Sequence, residues 1–563
     1  MRKSALLASL AITATVLAAP PGTADPAFTV RTMHFDVLAG PGAGQHCDIV
    51  GDLYTPVAAS AASPAPAILT TNGFGGSKDD QAGIARLAAS RGYVVLSYSG
   101  LGFGGSGCRI TLDDPDWDGR AASQLVSFLG GLDYVVHDAP GDPRVGMVGG
   151  SYGGGIQFAT ASVDPRLDTI IPLITWNDLS YALGPNNAVP AATPGAAKIT
   201  WALLFFFEGA LLENIQHPDP NRAIGCPNFP TEICTDLLLT GTLGYPTPQT
   251  TALLQHASVA SYVSRVRVPT LLIQGQKDTL FNLNEAVATY QALQAQGTET
   301  KMIWQSWGHS GGAAPGEIDL ANPDPASQYE TGRILDWFDH YLKDLPADTG
   351  PEFAYFRDWV PYSGNAAPAY ATSASFPVGT ARSFYLSAHN ELVAEQPRTG
   401  SQTFLTPPAG LPTSLSPFDA INQPAVDVNL PGTFAQWASA PLAAPMDVVG
   451  VPRLDIRLTA PTAALTSHLG PTGQLVLFPK IYDVAPDGTA SLIHQLVAPV
   501  RVADPTRPVQ VSLPGIVHRF DQGHRVRLVL ASGDLNYRGG LVSAPVTVTA
   551  GDTGQALTLP VVG

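Results

Sequence analysis

The chain has 563 residues, with 56 glycines and 50 prolines, too long for one ordinary domain and suited to two or three. Only 13% of residues are charged, and 30 Lys and Arg stand against 46 Asp and Glu for a formal net charge of −16. There is no dense basic run, which argues against a nucleic-acid surface, because displacing phosphate counterions needs clustered cations; the acidity reads as solubility.

In chain order, the first segment is "MRKSALLASLAITATVLAAPPGTADP". Arg2 and Lys3 precede a short apolar run, Leu6 to Ala19, and small residues follow at Gly22-Thr23-Ala24. This pattern predicts a secretory signal peptide over residues 1–24 and an exported, extracellular protein. No later stretch reaches the roughly 20 apolar residues of a membrane span, so no membrane span is expected. Four cysteines suit that compartment. Cys226 and Cys234 bracket a short loop and are expected to pair, leaving Cys47 with Cys108 by elimination; free buried thiols are the alternative. No Cys/His spacing suggests a metal site.

From residue 28 to about 350, apolar strand-like runs alternate with helical stretches. "PAILTTNGFGG", "GYVVLSYSGLGFGGSG", "RVGMVGGSYGGG", "VPTLLIQGQKD" and "KMIWQSWGH" each run into a turn or glycine-containing loop. Such alternation predicts an α/β domain with a buried, mostly parallel sheet covered on both faces. Gly332 to Lys343 reads as the amphipathic helix that closes it. Residues 177–264 break the alternation with helical patches, prolines and the Cys226/Cys234 loop. An insertion there lies over the C-terminal ends of the strands, where open α/β sheets bind ligands, and reads as a helical cap. Trp201 and Phe205 to Phe207 either line an apolar pocket in it or pack it onto the core. From 351 to 563 the helical pattern gives way to short β runs separated by turns, which predicts an all-β sandwich or jelly roll.

Ser151 stands in Gly149-Gly150-Ser151-Tyr152-Gly153, between a strand and a helical stretch, as a nucleophile elbow requires. Gly149 and Gly153 leave room for the sharp turn. A serine nucleophile needs a base, and the base an orienting carboxylate. Asp278 follows the run Leu271 to Gln274, and His309 follows "KMIWQ", both on turns at strand ends. Parallel strands ending on one edge bring such distant residues together. The oxyanion donors are expected from the backbone N–H of Tyr152 and that of Phe74 in "TNGFGGSK", with Gly73 as the fallback. No metal or organic cofactor is required by this chemistry.

"GGSYGGG", "GQKDTLF", "WGHSGG" and "WFDHYLK", followed by "YDVAPDG" and "FDQGHRVRLVLASGD", resemble the X-prolyl dipeptidyl peptidase and cocaine esterase family of serine hydrolases. The resemblance implies an α/β-hydrolase domain with a helical cap and a C-terminal jelly roll. It also implies Ser151 as nucleophile, Asp278 as acid and His309 as base. Two positions depart from the family pattern. The stretch Asn72-Gly73-Phe74 carries no hydroxyl where cocaine esterase-like members have a tyrosine whose hydroxyl helps build the oxyanion hole. Ser99 and Leu101 replace the Asp and Arg of a D-x-R-G-x-G-x-S loop.

The expected activity is hydrolysis of carboxylic esters on a small-molecule substrate. The alternative is X-prolyl dipeptidyl aminopeptidase activity, which needs a carboxylate for the substrate's α-amine; Glu208, Glu213 and Glu232 are the cap candidates. A non-catalytic binding protein, with the jelly roll as its binding module, is the third reading.

Overall fold

The structure, a computed structural model, describes residues 27–418 and 428–563; the expected signal peptide, residues 1–24, lies outside the described residues. The first domain is built on a ten-stranded sheet. Its strands are β1 (Phe28–Ala39), β2 (Gln45–Pro56), β3 (Ala67–Thr71), β4 (Val94–Tyr98), β5 (Val145–Gly150), β6 (Leu167–Leu173), β7 (Thr270–Gly275), β8 (Thr300–Gln305), β9 (Phe353–Phe356) and β10 (Tyr370–Ser373). They are ordered β1-β2-β4-β3-β5-β6-β7-β8-β9-β10. From β4 to β9 every neighbour pairs in parallel, and antiparallel strands finish each edge.

The apolar runs are continuous because both faces of the sheet are covered. Successive side chains point to opposite faces. Ile68, Val95 and Val148 pack with Ile84, Trp337 and Phe338 in one layer. Their chain neighbours Leu69, Leu96 and Met147 pack with Leu125, Phe158 and Leu293 in the other. The covering helices are α1 (Ala82–Ser90), α2 (Arg120–Leu129) and α3 (Tyr152–Val163), with two more towards the C-terminus.

Between β6 and β7 the chain leaves the sheet and forms the cap, whose longer helices are α4 (Leu179–Leu183), α5 (Ile199–Phe207), α6 (Thr231–Leu243) and α7 (Pro248–His256). The chain returns to the sheet and adds α8 (Leu283–Ala295) and α9 (Tyr329–Lys343). Among the described residues no helix is long and apolar enough to cross a membrane. Two disulfides are present, Cys47–Cys108 and Cys226–Cys234.

The domain division expected at 350/351 needs correction. Strands β9 and β10 belong to the first sheet, and the β-rich domain opens with the strand Thr380–Ser387. Loss of helical pattern marks the end of α9, whereas the sheet gains two more strands after that helix. The C-terminal domain holds a twelve-stranded sheet and a three-stranded sheet. Phe404, Leu458 and Val546 from the small sheet share one core with Phe384, Leu454 and Leu528 from the large one, which makes it a sandwich. This domain grips the cap. Arg501 is buried and donates to the carbonyls of Pro194, Gly195 and Gly244 in the cap and of Pro471 in its own domain.

Candidate active site

β5 ends at Gly150 and α3 begins at Tyr152, so Ser151 alone makes the bend. Its backbone sits at φ 57° and ψ −118°, a region costly for any residue with a side chain. The neighbouring glycines are sterically required. A Cβ on Gly153 would lie 2.6 Å from the Thr71 carbonyl oxygen, and one on Gly149 would lie 2.8 Å from that of Gly153. The bend is held by the Ser151 N–H, which donates to the Leu173 carbonyl at 2.9 Å.

Ser151 Oγ lies 2.8 Å from His309 Nε2, and His309 Nδ1 lies 3.0 Å from Asp278 Oδ2. Asp278 is completely buried. Its Oδ1 accepts the backbone N–H groups of Leu280 at 2.9 Å and Phe281 at 2.7 Å, and Gln274 Nε2 donates to Oδ2. An ionised carboxylate only accepts, so Nδ1 carries the imidazole hydrogen and Nε2 is left to accept from the Ser151 hydroxyl. The imidazole is wedged edge-on between Trp201 and Phe281, with ring centroids 5.4 and 5.1 Å away. The arrangement can deprotonate Ser151 and hold the resulting imidazolium beside a fixed anion.

The expected oxyanion loop lies against the elbow. A Cβ on Gly73 would fall 3.9 Å from Ser151 Cβ. The loop is shaped by Asn72, whose Nδ2 donates to the Gly73 carbonyl and whose Oδ1 accepts from the Gly100 N–H. Phe74 and Tyr152 line one cavity together with Ser151. Among the described residues neither the Phe74 nor the Tyr152 backbone N–H donates to a protein acceptor. The Phe74 ring faces an aromatic cluster, 5.0 Å from Phe103 and 4.8 Å from Phe205. Its side chain is therefore part of the cavity wall, and only its backbone is free for polar work.

The cavity at Ser151 holds about 130 Å³ of space for water-sized molecules and opens to solvent. Its walls are almost wholly apolar: Phe205, Phe206 and Ile199 from α5, Ile233 and Leu237 from α6, and Phe229 between them. Of the four aromatics singled out in the cap sequence, Phe205 and Phe206 line this cavity, Trp201 packs on His309, and Phe207 is 47% exposed. The three cap glutamates separate clearly. Glu208 Oε2 hangs over the oxyanion loop, 3.3 Å from where a Gly75 Cβ would be. Burial raises its carboxyl above the ordinary value, and His309 opposes that rise. Glu213 is buried, and Arg222 partly offsets the upward push of that burial. Glu232 is exposed on the first turn of α6.

Two supporting groups stand outside the sequence motifs. Lys198 at the start of α5 donates to the carbonyls of Thr279 and Leu280, just past Asp278. Arg109, next to the Cys47–Cys108 disulfide, donates to the carbonyls of Asn221, Ile224, Cys226 and Phe229 in the cap. Neither belongs to a catalytic motif; a long cation in an otherwise apolar segment ("AAKITWALL") is the one signal for Lys198.

Comparisons with known proteins agree with this architecture. Residues 45–311 match the X-Pro dipeptidyl-peptidase (S15) family, and residues 363–554 match the X-Pro dipeptidyl-peptidase C-terminal non-catalytic domain. The fold is similar to that of an aminopeptidase from a marine sediment Thaumarchaeota archaeon, at TM-score 0.65 and 14% identity over 97% of this chain and 99% of that one. It is also similar to an α-amino acid ester hydrolase, at TM-score 0.64 and 16% identity over 98% and 99%. A bis(hydroxyethyl) terephthalate hydrolase of Streptomyces coelicolor is 30% identical over 147 residues, 26% of this chain and 43% of that protein. Cutinase 2 of Thermobifida cellulosilytica is 29% identical over 118 residues, 20% of this chain and 40% of that protein. The chain thus spans less than half the length of these curated relatives. The two family matches together cover most of the described chain, and it belongs to the X-Pro dipeptidyl-peptidase (S15) family of serine hydrolases.

Proposed function

We propose that this chain is an exported serine esterase that hydrolyses carboxylic esters with apolar acyl groups. The observation that carries the reading is the position of Ser151 on the wall of an almost purely apolar cavity. In this reading His309 takes the Ser151 proton as Oγ attacks the ester carbonyl, and Asp278 holds the imidazolium. The N–H groups of Tyr152 and Phe74 receive the oxyanion, and loss of such a donor typically costs about 10²–10³ in rate. His309 then returns the proton to the departing alcohol, and water repeats the sequence on the acyl-enzyme. The ester hydrolases among the curated relatives support the chemistry. Two disulfides and the N-terminal sequence pattern support export.

A second reading, X-prolyl dipeptidyl aminopeptidase, is favoured by Glu208, a carboxylate beside the oxyanion loop and available to a substrate ammonium. The two separate in one assay, p-nitrophenyl acyl esters of increasing chain length against Ala-Pro and Gly-Pro nitroanilides. The esterase reading expects kcat/KM to rise with acyl length and the nitroanilides to turn over poorly. Preferred nitroanilide turnover, lost in Glu208→Gln, establishes the peptidase instead. No turnover and no fluorophosphonate labelling would leave only a binding role.

A further inference from the structure

His309 lies on the loop that leaves β8, and one carboxylate pins both ends of that loop. Glu317 Oε1 accepts the Ser306 N–H at 3.0 Å, while its Oε2 accepts the Ala314 N–H at 2.7 Å and the Ser306 hydroxyl. Glu317 Oε1 also takes the hydroxyl of Tyr370, from β10, at 2.7 Å. The same hydroxyl lies 2.9 Å from Oε1 of Glu330, on the first turn of α9. Both glutamates are completely buried. Among the described residues neither forms an ion pair with a lysine, arginine or histidine. The titratable neighbours are Tyr329, whose ring stacks 4.0 Å from that of Tyr370, and Tyr362, whose hydroxyl donates to Pro315. Arg333, one turn further along α9, is paired with Asp336 and Asp348.

Counting protons assigns the charges. Tyr370 has one hydroxyl hydrogen and two carboxyl oxygens within reach, so one of those contacts needs a second hydrogen. Glu317 already accepts two N–H groups and a hydroxyl and is the natural anion. Glu330 accepts from nothing else, and its Oε2 has no partner. We propose that Glu330 is a neutral carboxylic acid that donates to Tyr370, that Tyr370 donates to Glu317, and that this relay positions His309 against Ser151. The proposal rests on His309 as the base but concerns residues that touch neither substrate nor reacting atoms. Burial and the adjacent Glu317 also push the Glu330 carboxyl well above its ordinary range. Taking its proton would set two carboxylates across one hydroxyl and loosen the loop. The relay therefore predicts an alkaline fall in kcat that the triad alone does not supply.

The test uses the full chain and pH profiles of kcat and KM on a short soluble ester. Glu330→Gln cannot ionise and offers an N–H to Tyr370. It is expected to keep kcat within about twofold at neutral pH and to lose the alkaline fall. Glu317→Gln turns one acceptor into a donor facing N–H or O–H groups; kcat is expected to fall about tenfold or more, with KM within about twofold. If that protein does not fold, Tyr370→Phe carries the same expectation for kcat. Infrared difference spectra between the parent and Glu330→Gln should show the loss of one protonated-carboxyl band at neutral pH. Glu330→Gln losing as much activity as Glu317→Gln, failing to fold, or leaving the infrared band or the alkaline fall unchanged would overturn the proposal. Unchanged kcat in Glu317→Gln, or in Tyr370→Phe where that stands in, would do the same. Survival of activity in Ser151→Ala would strike at the triad reading instead, so the two failures are distinguishable.

Discussion

Lys198 Nζ sits 2.7 Å from the carbonyl oxygen of Leu280 and joins the cap to the turn that carries Asp278. The same ammonium reaches the Thr279 carbonyl at 2.9 Å, and the lysine is 3% exposed. The cap therefore does two things: it walls the cavity and braces the turn that holds Asp278. Hydrogen bonds to a charged group contribute about 1.5–3 kcal/mol each. Lys198→Met is expected to lower stability by at least about 2 kcal/mol in urea unfolding and to reduce kcat about tenfold. Full kcat in a folded Lys198→Met protein would show that the brace is irrelevant to catalysis.

Ser151 stores backbone strain at φ 57°. Glycine usually weakens a fold by about 0.5–1 kcal/mol relative to alanine, but at this position the order should reverse. Ser151→Gly is expected to melt higher than Ser151→Ala by an amount equal to about 1 kcal/mol. Both should lose fluorophosphonate labelling. Equal or inverted melting temperatures would mean that the elbow is unstrained.

Stability should decline towards alkaline pH. Burial raises Glu285 to about 8 against the opposing N–H bonds from Asp178 and Asn177. Burial likewise raises Asp118 and Asp168 to about 7 each, opposed by bonds from Thr111 and Val145. An acid raised on folding binds more protons in the folded than in the unfolded chain between the two pKa values, so stability falls as pH rises through that window. These groups contribute fully below about pH 4, and their contribution is lost by about pH 8 as each ionises in the fold. The melting temperature is expected to drop from pH 5 to pH 9, and Glu285→Gln should flatten the upper part of that drop. A melting temperature that rises over this range would contradict the assignment.

Arg501 ties the β-rich domain to the cap through three cap carbonyls. Burial lowers its guanidinium to about 10, which still leaves it charged at neutral pH. Stranding a buried carbonyl costs about 1–3 kcal/mol, so Arg501→Met is expected to lose at least about 3 kcal/mol. Lysine should not rescue it, because only the guanidinium fork reaches four acceptors. Limited proteolysis provides the local readout: the variant should be cut first between residues 185 and 198. A cleavage pattern identical to the parent's would remove the cap from the explanation.

The chain order of strands, the elbow glycines and the turns after Leu271–Gln274 and Lys301–Gln305 are local patterns, and they suffice to put Ser151, Asp278 and His309 on one sheet edge. The two disulfide partnerships follow from the short Cys226–Cys234 spacing and what it leaves over. Sheet membership is a different matter. Phe353–Phe356 reads equally well as the first strand of a β domain, and only its parallel pairing with β8 assigns it to the first sheet. Lys198, Arg501 and the Glu317–Tyr370–Glu330 relay are illegible for the same reason. Each acts on carbonyls or hydroxyls tens or hundreds of residues away, and nothing in its own surroundings announces that partner.

Arg109 connects the two disulfides: it follows Cys108 in the chain and donates to the carbonyls of Cys226 and Phe229. Phe229 in turn stands in the cavity wall. Thiol oxidation is thereby linked to the shape of the cavity. Protein produced in a reducing cytoplasm is expected to react normally with small probes and yet discriminate poorly among acyl chains, so its redox history becomes a variable of selectivity.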